Sequence, residues 1–389
     1  MALRSTSVRL VEPSGSPTAG GSGRGRVVRS DRLRLGADDR VRADAEAPRS
    51  ACVQRVAAGR GAILARLEIS ATDYHTAGEP FRIVADGLPD IPGETVRARR
   101  EHARSSEDVD RMRRLLCHEP RGHADMYGGF LVPPDDDGAD LGVLFWHKDG
   151  YSTACGHGTI ALGAWAVESG RVAAPADGDV DVTIDVPSGR VVARVRCCGR
   201  AVEGVAFRNV PAFVIARGVE AGGVEADVAY GGAIYAFVPA ERFGLRLVPE
   251  DLPELIAAGL AVKRALEGSE VARHPHDHRL SGIYGTVLFE ELGPLHRRSV
   301  AIFADGEVDR SPTGSATSAV TALLHDDGAL RDGHAWRNDS IIGTTFTARA
   351  VGRAPDGLLT EVEGNAFRTG EHRFVLDPRD PLGTGFVLR

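Results

Sequence analysis

The 389-residue sequence predicts an α+β fold, rich in short strands, in which two similar helices aim their N-termini at one cleft. Three observations predict it. Strand-type runs separated by turn residues dominate the chain, long helical patterns are few, and two helices follow the same kind of glycine-rich turn. Strands and helices do not alternate regularly, which excludes a doubly wound parallel sheet.

Taken in order, the chain opens with residues 1–62, which lack apolar periodicity. Pro13 to Arg26 is rich in Ser, Pro and Gly, and Arg29 to Arg49 mixes Arg with Asp and Glu. Such a stretch buries too little apolar surface to offset its ordering entropy, so it reads as a disordered extension or as a start assigned upstream of the true one. Its acidic residues, Glu12 to Glu46 among them, argue against an import leader. Order is expected from Ile63, where Ile63–Ile69 has the character of a strand. Strands are then predicted over Leu141–His147, Val180–Val186, Val191–Arg196, Gly204–Val210, Ala212–Ala216, Ala233–Val238, Tyr284–Glu290 and Ser299–Phe303. Helices are predicted over Ser105–Cys117, Thr159–Glu168, Pro249–Leu266 and Ala316–His325.

Composition narrows the function classes. A net charge of −7 disfavours nucleic-acid and anionic-membrane partners, which attract a concentrated basic surface. No stretch reaches the ~20 apolar residues of a membrane span, and the N-terminus has no apolar signal core. The five cysteines (Cys52, Cys117, Cys155, Cys197 and Cys198) are odd in number and include no Cys-x-x-Cys pair, which fits free thiols in a reducing cytoplasm.

The chemistry concentrates at the two matched helices. One is preceded by Cys155-Gly156-His157-Gly158 and the other by Thr313-Gly314-Ser315, and a glycine, Gly170 or Gly328, lies fifteen residues after Cys155 and Thr313 alike. Both helices are apolar on all sides, so both are expected to be buried. A helix N-terminus offers unpaired N–H groups and a partial positive charge, which suit a carboxylate and lower the pKa of a thiol. A lone cysteine is most often a small buried residue; the flanking glycines and His157 point Cys155 toward chemistry instead. Asp309, four residues before Thr313, is placed to hold a cationic amine, although beside Gly306 it would also suit a plain turn. Thr313 alone would equally serve as an N-cap. Together Cys155, Gly156, His157, Asp309, Thr313, Gly314 and Ser315 describe a pocket for a zwitterionic amino acid.

Other signals are weaker. His274-Pro275-His276-Asp277-His278 has metal-ligand residue types, but its composition is that of an exposed loop. Cys197-Cys198 has no metal spacing around it, and Gly231-Gly232 lacks the rest of a dinucleotide fingerprint. Phosphate loops, nicotinamide motifs and pyridoxal-lysine contexts are absent from the sequence, so the chemistry is expected to come from side chains, with no cofactor and no metal.

Five motifs in order resemble the proline racemase family: Thr72–Val84, Glu119–Gly128, Cys155–Gly158, Asp309–Gly314 and Thr369–Pro378. The resemblance runs from about residue 67 to the C-terminus. It implies two pseudo-symmetric lobes of the diaminopimelate-epimerase type, each a curved sheet around a central helix, with the site between them. The lobes would span residues 63–202, carrying Cys155, and 203–389, carrying Thr313, with the last segment packing back on the first lobe. It also implies a homodimer. Family racemases and hydroxyproline epimerases carry a cysteine at both helix starts. Threonine at the second resembles the branch that dehydrates trans-3-hydroxy-L-proline, and Gly150–Thr153 is similar to that branch too. Ala154 and Gly158 differ from the residues common there.

The residue chemistry agrees with that branch. A threonine hydroxyl is too weak an acid to act as a resting base or as a matched proton donor to carbon. The expected reaction is thus one-way: the Cys155 thiolate takes the Cα proton and the C3 hydroxyl leaves, giving Δ1-pyrroline-2-carboxylate. Thr313 is expected to orient the leaving hydroxyl or a water that protonates it. Competing readings are a proline racemase or 4-hydroxyproline 2-epimerase, a non-catalytic amino-acid binder, and a metal hydrolase built on His274–His278.

Overall fold

A computed structural model describes residues 67–388; the extension expected over 1–62 lies outside the described residues. Strands β1 (Leu67–Thr76) and β2 (Glu79–Asp86) form a hairpin, followed by helices α1 (Val96–Ser105) and α2 (Glu107–Cys117). Strands β3 (Tyr127–Val132), β4 (Leu141–His147) and β5 (Gly150–Tyr151) lead into α3 (Gly156–Glu168). Six strands come next: β6 (Gly178–Val186), β7 (Gly189–Cys198), β8 (Ala201–Arg208), β9 (Phe213–Glu220), β10 (Glu225–Tyr230) and β11 (Ile234–Pro239). Helix α4 (Leu252–Leu266) precedes β12 (Ile283–Gly293), β13 (His296–Phe303) and β14 (Glu307–Asp309). After α5 (Gly314–Asp326) the chain closes with β15 (Ala335–Ser340), β16 (Thr345–Ala354), β17 (Gly357–Gly364) and β18 (Ala366–Leu376).

The strands form one continuous hydrogen-bonded network, mostly antiparallel, as the α+β expectation requires. Parallel pairs are confined to β2–β3, β4–β6, β11–β12 and β13–β15. Helix α3 packs on β1, β2, β6, β7, β8 and β18, whereas α5 packs on β9, β10, β16 and β17. Each helix is thus wrapped by its own strands. The boundary expected at 202/203 falls inside β8, which pairs with β7 on one side and β17 on the other.

Small and apolar residues explain why these helices can be enclosed. Every residue from Gly156 to Ala166 and from Gly314 to Leu324 is buried. Their C-termini are closed alike. Gly170 (φ +72°) and Gly328 (φ +70°) adopt the left-handed conformation, and the Val172 and Leu330 amides donate back to Ala166 and Leu324. This is the glycine-terminated helix end that satisfies orphan carbonyls.

The helix expected over Ser105–Cys117 is α2, and α1, which precedes it, was not predicted. Ser106 ends α1 and caps α2, its side chain accepting from the Val109 amide. Helix α1, with sequence VRARREHARS, has few buried side chains, which hides its period. It nevertheless serves the site: the buried Arg100 guanidinium donates to the Tyr151 and Ser152 carbonyls, holding the strand that leads into Cys155.

Candidate active site

The two central helices meet head to head. A Cβ on Gly156 would lie 2.5 Å from Gly314 Cα, and one on Gly314 would lie 2.8 Å from Gly156 Cα. Only glycine permits that approach, and it brings both sets of helix-terminal amides to one pocket. The pocket is narrow and tightly walled. It is lined by Tyr127, Cys155, Gly156, His157, Tyr235, Tyr284, Phe303, Asp309, Thr313 and Ser315 among others. The structure therefore brings together most of the residues singled out in the sequence; Gly314 abuts Gly156 at its edge.

Cys155 is the N-cap of α3, and its sulfur accepts from the Gly158 amide at 3.2 Å. The sulfur is 3.4 Å from His157 Nε2, and His157 Nδ1 is 3.7 Å from Asp309 Oδ2. The helix-terminal Gly158 amide acts to lower the thiol pKa as expected, but it does not set the net shift. Burial pushes the Cys155 thiol well up, and the charges of Asp309 and Glu79 add to it; hydrogen bonds from Gly158 and Tyr127 oppose this without cancelling it. Enclosing the whole side chain removes the water that would solvate a thiolate, and that loss outweighs the helix terminus.

Thr313 is the N-cap of α5 only by position. Its side chain caps no amide; instead Oγ1 donates to Asp309 Oδ2 at 2.8 Å. The residue sits at φ +59°, a left-handed conformation rare for a β-branched residue and of the kind found at functional sites. The first-turn amides of α5 are left without a side-chain cap, and Ser315 Oγ bonds Tyr235 Oη at 2.7 Å. Asp309 also accepts from the Ser311 amide at 2.8 Å. Burial alone would raise its pKa, but His157, Ser311 and Thr313 together bring it below the usual carboxylate value.

Sequence reasoning missed a layer behind these residues. Glu79, fully buried, accepts from the Arg310 amide, and Arg310 pairs with Asp125, whose carboxylate also receives the Val308 amide. The cluster ties the start of β2 to β14, which carries Asp309. Burial, then the charge of Asp309, raises the Glu79 pKa well above normal. Also missed were three tyrosines around the pocket, Tyr127 and Tyr235 buried and Tyr284 half-buried. Tyr127 Oη bonds Ser152 Oγ at 2.5 Å and Tyr284 Oη at 3.0 Å, and Tyr284 packs edge-on against Tyr235. Glu79, Asp125 and Tyr127 all lie within motifs already quoted; polar groups at the ends of apolar strand runs were the available signal.

The remaining signals fall away from the pocket. His274 packs on Phe213 and Tyr230, and Asp277 pairs with Arg97 and Arg279. Among the described residues no group of three or more His, Cys, Asp or Glu side chains is arranged to hold a metal. The tail motif forms β18, where His372 lies 3.2 Å from Asp73 and Phe374 stacks under Arg82; it supports the fold, not the pocket. Among the described residues no helix is long and apolar enough to cross a membrane.

Two enclosed helix starts, one presenting a thiol and the other a hydroxyl, thus face a single small pocket. The chain belongs to the proline racemase family, whose model matches residues 71–387. It is 41% identical over 335 residues to a trans-3-hydroxy-L-proline dehydratase of Colwellia psychrerythraea, covering 83% of this chain and 93% of that protein. It is 42% identical over 334 residues to a 3-hydroxyproline 2-epimerase of Burkholderia multivorans, covering 82% and 98%. A crystal structure of a hydroxyproline epimerase from Agrobacterium vitis, with bound trans-4-hydroxy-L-proline, superimposes with a TM-score of 0.77 at 29% identity, covering 83% and 95%.

Proposed function

We propose that the chain dehydrates trans-3-hydroxy-L-proline to Δ1-pyrroline-2-carboxylate without a cofactor. The observation that carries this reading is the unequal pair of helix caps: Cys155 offers a sulfur to the pocket, whereas Thr313 offers only a hydroxyl already bonded to Asp309. The substrate carboxylate takes the amides of Gly156, His157, Gly314 and Ser315, and its ammonium faces Asp309. Neutralising Asp309 removes one of the charges that disfavours the thiolate, and His157 is placed to accept the thiol proton. Cys155 then takes Hα, the helix-terminal amides hold the enediolate, and elimination follows because no second thiol returns a proton to Cα. The wider cleft beyond Tyr284, with Arg104, Lys263 and Ser281 on its walls, provides the route in. The same reading includes lobes spanning residues 63–202 and 203–389, with β18 returned to the first, a homodimer, and a cytoplasmic location.

Purified protein should release pyrroline-2-carboxylate from trans-3-hydroxy-L-proline, and Cys155→Ser should lower that rate by about 10³-fold. Absence of product from the wild type sinks the proposal. The relative named as an epimerase gives a second reading, inversion at Cα of a hydroxyproline or proline; it predicts deuterium incorporation at Cα with the hydroxyl retained. The two readings also part at Thr313→Cys. A second thiol should add inversion at Cα that the wild type lacks, readable by chiral chromatography in deuterium oxide.

A further inference from the structure

Hydroxide is a poor leaving group, so its departure from C3 calls for an acid. The stereochemistry of trans-3-hydroxy-L-proline says where that acid must stand, an argument that rests on the dehydratase reading. In the trans isomer the carboxylate and the hydroxyl lie on opposite ring faces. C2 bears one hydrogen, opposite the carboxylate, so Hα shares a face with the hydroxyl. A base that removes Hα approaches from the side on which the hydroxyl departs. The acid therefore belongs beside Cys155. Thr313 does not meet that condition, since it caps the other helix and donates to Asp309.

We propose that Tyr127 is the catalytic acid that protonates the departing C3 hydroxyl. It lines the pocket with Cys155, and its ring packs edge-on against His157 at 5.0 Å. Its Oη is fixed by Ser152 Oγ at 2.5 Å and Tyr284 Oη at 3.0 Å, on the pocket wall that it shares with the Cys155 thiol. Tyr235, by contrast, bonds Ser315 on the other helix, and His157, between the Cys155 sulfur at 3.4 Å and Asp309 at 3.7 Å, already serves the thiol in that reading. Burial pushes the Tyr127 phenol up, which favours its protonated, proton-donating form.

The step balances without a co-reactant. The Cys155 thiolate takes Hα and becomes a thiol. The electron pair left on Cα forms the Cα–C3 double bond as the C3–O bond breaks, and the hydroxyl takes the Tyr127 proton and leaves as water. The tyrosinate recovers a proton from the adjacent Cys155 thiol, which restores the thiolate. Hα and the hydroxyl thus depart together as one water molecule, and the enamine tautomerises in solution.

Three measurements test this. In deuterium oxide Tyr127→Phe should release pyrroline at least about 10²-fold more slowly than the wild type, yet still exchange Hα of trans-3-hydroxy-L-proline. With trans-3-fluoro-L-proline, whose fluoride leaves with less need of an acid, the variant should stay within about tenfold of the wild type. The wild type itself should exchange Hα of cis-3-hydroxy-L-proline but lose its hydroxyl at least about 10²-fold more slowly than from the trans isomer; this arm decides the matter if the variant does not fold. Wild-type rates of dehydration by Tyr127→Phe would overturn the proposal. So would equal loss of exchange, fluoride release and pyrroline release in the folded variant, or equal dehydration of the cis isomer. A wild type that exchanges Hα and never releases pyrroline fails the dehydratase reading instead.

Discussion

Cys155 is subject to opposing influences at one atom. The α3 N-terminus and the Gly158 amide favour its thiolate, while burial and two nearby carboxylates disfavour it. Burial prevails in the free protein, which sets the sign of the pH dependence. With the pKa raised, the thiol is protonated at neutral pH and the active base appears as pH rises. Since kcat/KM reports the free enzyme, it should climb about tenfold per pH unit through neutrality and not level off below about pH 8.5, the ordinary cysteine value. A plateau already reached at pH 6 would show that His157 and the helix terminus outweigh burial. The same enclosure explains what the residues alone could not reveal. That Cys155 and Thr313 face one pocket was legible from their matched contexts, but the direction of the thiol shift was not, because it depends on Tyr127, Glu79 and Asp309 closing around the sulfur from distant strands.

Local pattern carried the elements unevenly. The strand predicted at Leu141–His147 has the observed bounds, and Val191–Arg196 lies inside β7, because alternation or an unbroken apolar run marks strands that pack on a core. Helices α3 and α5 begin earlier than predicted, at Gly156 and Gly314, since glycine at a helix start reads as a turn until the partner helix that requires it is seen. Helix α1 was illegible because it is tied down by guanidinium groups, not by an apolar stripe. The repeat of Gly170 and Gly328 was legible, and the structure gives it a physical meaning that can be measured. Both sit in the left-handed conformation with nothing within 4 Å of an added Cβ. Gly170→Ala and Gly328→Ala should therefore each destabilise by about 1 kcal/mol through backbone strain alone. The two losses should match in urea melts, with turnover unchanged; markedly unequal losses would mean the helix ends differ in a way their geometry does not show.

Across the whole molecule, the first and last described strands lie side by side. β18 pairs with β1 along its length, from Leu67 opposite Leu376 to Thr76 opposite Ala366, and both cover α3. The tail beyond it returns to the loop before β3: Arg121 donates to the Gly383 and Val375 carbonyls, and the Phe386 amide donates to the Glu119 carbonyl. That loop leads directly to Asp125 and Tyr127, so the C-terminus supports the pocket although none of its residues lines it. Truncation after Asn365 removes the ladder, leaves β1 as an exposed edge, and uncovers α3 on one side. At about 1 kcal/mol per lost hydrogen bond, with apolar exposure added, the loss is comparable to the roughly 5–15 kcal/mol that holds a typical domain together. The truncated chain should accumulate as insoluble or unfolded protein, visible as loss of near-ultraviolet circular dichroism and of substrate-dependent turnover. Truncation after Leu376 keeps the ladder and removes only the tail contacts, so that protein should stay folded with a lower Tm. If the shorter chain, ending at Asn365, melted like the full one, β18 would be an accessory strand and the covering of α3 would have to come from elsewhere.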